Sequence, residues 1–351
     1  MILYSSYRSI LSTKSILMMV STYYGEGGNT TVINKLCQNL QKMGYETAIG
    51  AFNFHQNPPT GIRKIKLQKR IDFIPKKLNN EFDIIHCHQT LAIYYSLFSN
   101  KPFIVHYHGT MGKIQEINLN LSLNLCQNHI SKIILVSNSA FSKISKHIQN
   151  KIPSEEVYNG VDTNLFNPNS IKKFTYGEPQ LIFVGSLMTY KNVKKIINSM
   201  DRILMTYPKA HLQVVGEGDE YSKLNNDVKV KDLTKNVSFL GKILSHEELR
   251  DRYRSSDIYI SASTIEACPL PPLEAMACGK PLLLSDIPAH RELIKKSKGG
   301  LIFSLTDSDL TQKLTEVYEN RRLFGELARK FAIQHDWENV SRKISKIYES
   351  L

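Results

Sequence analysis

Residues 257–292, DIYISASTIEACPLPPLEAMACGKPLLLSDIPAHRE, constrain the fold more than any other part of the chain. Ile258-Tyr259-Ile260 is a short β-prone apolar run that breaks off into small polar residues and a proline-rich turn, so it reads as a strand that stops abruptly. Pro271 and Pro272 suit the first turn of a helix, where N–H groups lack intrahelical partners in any case. Residues 273–278 are mostly good helix formers, and Gly279 supplies a left-handed stop before Pro281. Leu282-Leu283-Leu284 then reads as the next buried parallel strand, so the pattern predicts a compact β-loop-α-β unit.

Glu266 and Glu274 bracket this turn with seven residues between them. The spacing predicts that both carboxylates face one small volume, which also receives the unpaired amides near residues 270–273. Such amides favour phosphate, and two hydroxyl-accepting carboxylates beside them suit a sugar joined to a phosphate. A helix N-terminus with two solvated glutamates has the same spacing.

The remainder alternates strand and helix. Residues 16–20 read as a first strand, followed by a glycine turn and a helix from about residue 29 with Val32, Ile33, Leu36 and Leu40 on one face. Strands follow at 46–51, 83–88, 102–109 and 132–137, with helices at 90–98 and 113–129. A second series has strands at 181–185, 211–215 and 236–241, and helices at 247–254, 287–294 and 307–318. Trp337, Val340, Ile344 and Ile347 mark one face of a last helix. This alternation predicts doubly wound parallel sheets, whose ligands sit beyond the carboxyl ends of strands. His86, His88, His106 and His108 all fall at such ends. Their i, i+2 spacing puts each pair on one face of its strand, but no carboxylate or cysteine partner is suitably spaced, so no metal is expected, and packing at the strand end is expected for His86, His88 and His106. The glycine turn at Gly27-Gly28 is not GxGxxG, which leaves a dinucleotide cofactor unsupported.

A length of 351 residues exceeds one ordinary core and predicts two domains, with 42% hydrophobic residues to fill them. No apolar run is long enough to span a bilayer, and no cleavable signal is evident. Five scattered cysteines without a CxxC pair point to reduced thiols in a cytoplasm. The net charge of +13 predicts anionic partners, whether nucleotide phosphates, nucleic acid or an acidic membrane. Basic residues cluster over 63–77 (Arg63, Lys64, Lys66, Lys69, Arg70, Lys76, Lys77), interleaved with apolar ones. That mixture fits an amphipathic membrane-surface segment, and equally a solvated helix or loop. Residues 1–14 show no periodicity and read as an extension.

The run from Glu266 to Glu274 resembles the E-x7-E signature of the retaining GT-B glycosyltransferases, the large family numbered four. Val157-Tyr-Asn-Gly-Val-Asp162, with Phe166-Asn-Pro168 after it, resembles that family's N-G-V-D…F-x-P segment between domains, and His108-Gly109 its His-Gly motif. Gly27-Gly28 resembles its first glycine turn, and Gly185-Ser186, leading to Lys191, its G-R-L-x-x-x-K loop with serine in place of arginine. The turn at Gly216 and the loop at Gly241-Lys242 resemble its donor and base-bordering loops.

The resemblance implies a GT-B fold: two Rossmann-like doubly wound parallel-sheet domains facing a central cleft. The first would cover 15–170 and bind the acceptor, the second 171–335 and bind the nucleotide sugar, with 336–351 a helix crossing back. It implies retaining, metal-independent transfer of a hexose-type sugar from a nucleotide diphosphate donor to a glycan, lipid-linked or small-molecule acceptor. By motif position His108, Lys191 and Glu266 would be the catalytic set, with Lys191 on the diphosphate, Glu266 on a sugar hydroxyl and His108 on sugar or acceptor. Glu274 would hold the ribose, and Gly27, Gly28, Gly185, Ser186, Gly216, Gly241, Lys242, Ala267, Cys268, Pro269 and Leu270 would complete the donor site. No cofactor beyond the donor and no nucleic acid is expected. From the scattered cysteines a cytoplasmic place is expected, with 63–77 either attaching the protein to the inner membrane face or simply solvated. A glycoside hydrolase, a nucleotide-sugar epimerase on a related fold and a non-catalytic basic binding protein remain open alternatives.

Overall fold

The computed structural model describes residues 14–25, 27–67, 80–109, 112–169, 173–305 and 309–351. Two parallel sheets organise them. The first contains β1 (Ser15–Tyr23), β2 (Glu46–Phe54), β3 (Arg63–Lys66), β4 (Ile84–Cys87), β5 (Phe103–Tyr107), β6 (Lys132–Leu135) and β7 (Ser154–Glu156) in the order β3-β2-β1-β4-β5-β6-β7. The second contains β8 (Gln180–Val184), β9 (His211–Val215), β10 (Val237–Phe239), β11 (Ile258–Ser261), β12 (Leu282–Ser285) and β13 (Gly300–Phe303), ordered β10-β9-β8-β11-β12-β13. Strand order reverses between β1 and β4 in one sheet and between β8 and β11 in the other, which opens a ligand-sized crevice at each place.

Unbroken apolar runs make the central strands. Ile16, Leu17, Met18, Met19 and Val20 of β1 are all buried, because helices cover both faces of a parallel sheet and no side of the strand meets water. The closing helix, Trp337–Glu349, completes one of those covers. Its Trp337, Val340, Ile344, Ile347 and Tyr348 share a core with Ile16 and Met18 of β1 and with Val32, Ile33 and Leu36 of the helix Gly28–Lys42. Backbone bonds fix its entry, with Val161 N donating to His335 O at 2.9 Å and Trp337 N donating to Val161 O at 3.2 Å.

Several expected elements differ. Residues Thr90–Phe98 form a 3-10 run instead of an α-helix, and the helix Lys113–Cys126 stops before a 3-10 turn at Gln127–His129. The start of the basic segment is a strand: Arg63–Lys66 is the sheet edge, with Ile65 packed on the core and Arg63 paired with Glu81 at 3.2 Å. Ile65 is the one apolar residue of this strand, set between Lys64 and Lys66, and a single inward side chain is enough for a short edge strand. Lys69, Arg70, Lys76 and Lys77 lie outside the described residues, as does the extension at 1–13. The helix Arg321–Gln334 carried little signal because its buried face is built largely from Gly325, Ala328 and Ala332. Strand β7, with the sequence Ser-Glu-Glu, has no apolar residue to reveal it.

Among the described residues no helix is long and apolar enough to cross a membrane. All five cysteines are free thiols.

Gly216, at the end of β9, holds two strands together. A β-carbon there would lie 1.9 Å from Gly185 O, and its φ of +137° disfavours any side chain. Gly216→Ala is expected to cost at least about 2 kcal/mol, read as a lower denaturant midpoint at unchanged slope. A change below about 0.5 kcal/mol would mean that the β8 and β9 ends can separate freely.

Candidate functional site

A cleft of about 560 Å³ lies where the carboxyl ends of the two sheets face each other. One wall is built by Val20, Thr22 and Tyr23 of β1, by Gly27 and Gly28 at the start of the first helix, and by His108-Gly109 just past β5. The other is built by Ser186, Tyr190 and Lys191 after β8 and by residues 265–271 after β11.

The motif loop is held against the β8 loop. Thr264 N donates to Tyr190 O at 2.8 Å, and Lys191 Nζ donates to Glu266 Oε1 at 2.5 Å. Both side chains of this ion pair are largely enclosed, at 14% and 12% exposure, so the charges meet in a partly dry environment. Lys191 ends a 3-10 turn, Thr189–Lys191, and precedes the helix Val193–Thr206 instead of lying within it. Ser186 is exposed beside Tyr190.

The helix of the motif runs Leu270–Ala277 with Pro269 as its cap. Because Pro271 and Pro272 have no N–H, only Leu270 among the first three helical residues presents an amide. The expected row of donors over 270–273 is therefore reduced, and the ammonium of Lys191 is the larger positive charge at the loop.

The two motif glutamates do not share one lining. Glu266 faces the cleft, whereas Glu274, the fifth residue of its helix, turns to Tyr253, whose hydroxyl donates to Glu274 Oε2 at 2.9 Å. Burial pushes the Glu274 carboxyl up to about 7, against the lowering effect of the Tyr253 hydroxyl. Gly185, Gly216 and Gly241 also lie beyond that lining, at adjacent strand ends of the second sheet. Gly185 N donates to Val215 O at 3.0 Å and Gly216 N to Gly241 O at 2.8 Å, with Lys242 exposed just after. Ala267, Cys268, Pro269 and Leu270 line the cleft.

The four histidines form one stacked block. Ring centroids of His86 and His88, and of His106 and His108, are 4.4 Å apart, and His88 Nδ1 meets His108 Nε2 at 2.9 Å. His86 Nδ1 is hydrogen-bonded to the Tyr348 hydroxyl at 2.6 Å. Burial drives His86, His88 and His106 well below the ordinary imidazole range and brings His108 down to about 4, so all four rings are neutral at neutral pH. Nitrogens of His86, His88 and His106 lie within 4.8 Å of one another. Their rings are 4.4–5.2 Å apart between centroids and inclined to one another by 9–34°. Only His108 reaches the cleft lining, where Gly109 lets the wall approach the motif loop: a β-carbon on Gly109 would lie 2.5 Å from that of Ala267.

Contacts across the two halves escaped the sequence reading. Asn159 Nδ2 donates to Cys268 O at 2.7 Å, and Glu292 accepts from the backbone N–H groups of Asn138 at 3.0 Å and Ser139 at 2.9 Å. Burial opposes charge on Glu292, but the Glu156 carboxyl, Lys296 and those two amides bring it down to about 2. Asn159 lies inside the N-G-V-D segment, so its motif position was the one available signal. Glu292 sits mid-helix in Pro288–Ser297, without any local pattern.

A family model described as Glycosyl transferases group 1 matches residues 167–343, about half of the chain, and one described as Glycosyltransferase Family 4 matches residues 26–165. The chain is 26% identical over 281 residues to an uncharacterized glycosyltransferase of Methanocaldococcus jannaschii, covering 77% of this chain and 76% of that protein. It is 24% identical over 341 residues to the N-acetyl-alpha-D-glucosaminyl L-malate synthase of Bacillus anthracis, covering 91% and 85%. Among solved structures, HepE of Anabaena in complex with UDP and glucose superimposes with a TM-score of 0.78 at 18% identity, over 96% of this chain and all (100%) of that one. Two facing parallel-sheet units and these matches make the fold GT-B, and the chain belongs to the glycosyl transferases group 1.

Proposed function

We propose that the cleft transfers a hexose from a nucleotide diphosphate sugar to a lipid-linked, glycan or small-molecule acceptor, with the anomeric configuration retained and no metal required. The observation that carries this reading is the enclosed Lys191–Glu266 pair at the meeting point of the β8 and β11 loops. Departure of a nucleoside diphosphate leaves negative charge on its β-phosphate, and a pre-placed ammonium stabilises that charge as it grows. Lys191 takes this part, with the Leu270 amide, where other enzymes use Mg²⁺. With Ser186 in the place of the resembled arginine, it acts as the main cation.

Glu266, held beside Lys191, accepts a hydroxyl of the transferred sugar. Glu274 accepts the ribose hydroxyls, its second oxygen steadied by Tyr253. Backbone at Gly27, Gly28, Gly185, Ser186, Gly216 and Gly241, with Lys242 and residues 267–270, borders diphosphate and base. His108, neutral and fixed by His88, contacts sugar or acceptor without serving as a base. In this reading 15–170 forms the acceptor side, 171–335 the donor side and 336–351 the crossing helix, and closure of the two excludes water so that sugar is transferred instead of hydrolysed. Segment 63–77 is proposed to add an attraction to acidic membranes. Support for the donor class comes from HepE, a protein of the same fold solved with UDP and glucose.

A thermal-shift panel of UDP, GDP, ADP and TDP sugars tests the donor class, followed by analysis of the product anomer. One base class is expected to raise Tm in proportion to ln[donor], and the product to keep the donor's configuration. No shift with any donor, or release of free sugar from a glycan without nucleotide, would contradict the reading.

Ribose hydroxyls need an ionised Glu274. Donor affinity is therefore expected to rise with pH through about 7 and then level off, a rise that Glu274→Gln removes. Linkage adds a second readout. The folded carboxyl titrates above the ordinary carboxylate range, so the donor-free protein loses stability as pH climbs from that range through about 7. Glu274→Gln flattens this slope, and pH-independent donor affinity in the parent protein would rule the role out.

A further inference from the structure

The helix Lys113–Cys126 is apolar on two faces. Leu119, Leu123 and Cys126 are buried against the first sheet's core. Ile114, Ile117, Leu121 and Leu125 are exposed by 76%, 65%, 51% and 57%. At about 100° per residue these four fall within roughly one quarter of the helix circumference, facing away from the buried side. Scattered surface leucines are ordinary, but a four-residue apolar stripe along one helix marks an interaction surface.

Charge around the stripe selects the partner. Between residues 84 and 153 the chain carries six lysines, of which Lys132 pairs with Glu155 at 3.0 Å, and one acidic residue, Glu116. Glu116 is paired with Lys143 at 3.3 Å. Lys113 at the start of the helix is exposed, as are Lys146 and Lys151 on the neighbouring helix Lys146–Lys151. We infer that this helix is a docking surface for an anionic lipid bilayer, its apolar stripe entering the boundary of the acyl region while the lysines around it meet acidic headgroups. None of its residues belongs to the basic run at 63–77.

Its place in the fold gives the docking a use. The helix starts four residues past Gly109, and its Gln115 and Leu119 line a side cavity of about 230 Å³ shared with His106 and His108. A bilayer seated on the stripe therefore lies on the side of the first sheet that reaches His108. On the transfer reading above, this favours an acceptor carried in the membrane, although docking itself does not depend on that reading.

Flotation of the full chain with phosphatidylcholine vesicles, with and without an acidic phospholipid, tests the inference. Wild type is expected to float with acidic vesicles, weakly with neutral ones, and less as salt is raised. The triple change Ile117→Ser, Leu121→Ser, Leu125→Ser is expected to lower vesicle affinity at least about tenfold. Met205→Ser, at an exposed apolar site of the second unit, should leave affinity unchanged and control for general surface effects. An unchanged Tm in the triple variant separates lost docking from lost folding. Undiminished flotation of the triple variant, or no flotation of wild type with acidic vesicles, would overturn the inference. So would a stripe-dependent dimer in light scattering without vesicle binding.

Discussion

Replacing Lys191 by alanine is expected to lower kcat/KM by about 10²–10³-fold, the range seen when one preorganised group that stabilises developing negative charge is removed. Lys191 also balances Glu266 within an enclosed pair, so the variant strands a carboxylate and loses some stability as well. Glu266→Gln separates the two effects, because it breaks the ion pair while leaving the ammonium at the diphosphate position. That variant is expected to retain affinity for the nucleoside diphosphate and to lose turnover. If Lys191→Ala lowers Tm but leaves kcat/KM of the folded protein within about twofold, the pair only joins two loops.

Trp337→Ala is expected to cost about 3–5 kcal/mol, the usual range for deleting a buried aromatic ring. Trp337 is only 5% exposed, lies against Gly160, and opens the helix whose other apolar residues complete the core over β1. The cavity would sit between the last helix and the segment that leaves the first sheet, and neither can collapse without breaking the backbone bonds between Val161 and residues 335–337. A lower denaturant midpoint measures the loss. A change under about 1 kcal/mol would show that the last helix contributes little to the first sheet's core.

Much of the architecture was legible because it is local. Continuous apolar runs such as Ile16 to Val20 and Leu282 to Leu284 can hardly be anything but buried parallel strands, and the Pro-Pro and Gly279 signals bracket a helix within a residue or two of its observed bounds. Strands without apolar content, such as Ser154-Glu155-Glu156, and helices that bury alanine and glycine left no comparable mark. At the site, motif positions brought Lys191, Glu266 and His108 into view one by one. Their geometry was not visible, because Lys191 and Glu266 are 75 residues apart and meet only once β8 and β11 become neighbours. That Glu274 does not share the cleft lining with Glu266 was hidden for a related reason: the side it faces depends on where the helix begins and on Tyr253, 21 residues earlier. Gly109 against Ala267 and Glu292 against Asn138 and Ser139 are likewise products of two surfaces meeting.

Calorimetric titration of the wild type and Lys191→Ala with a nucleoside diphosphate and with its parent nucleoside tests the central claim most directly. The account predicts that the diphosphate binds the wild type and that Lys191→Ala weakens it at least about tenfold, while the nucleoside's weaker affinity is unchanged by the substitution. Equal affinity of the two proteins for the diphosphate would contradict it.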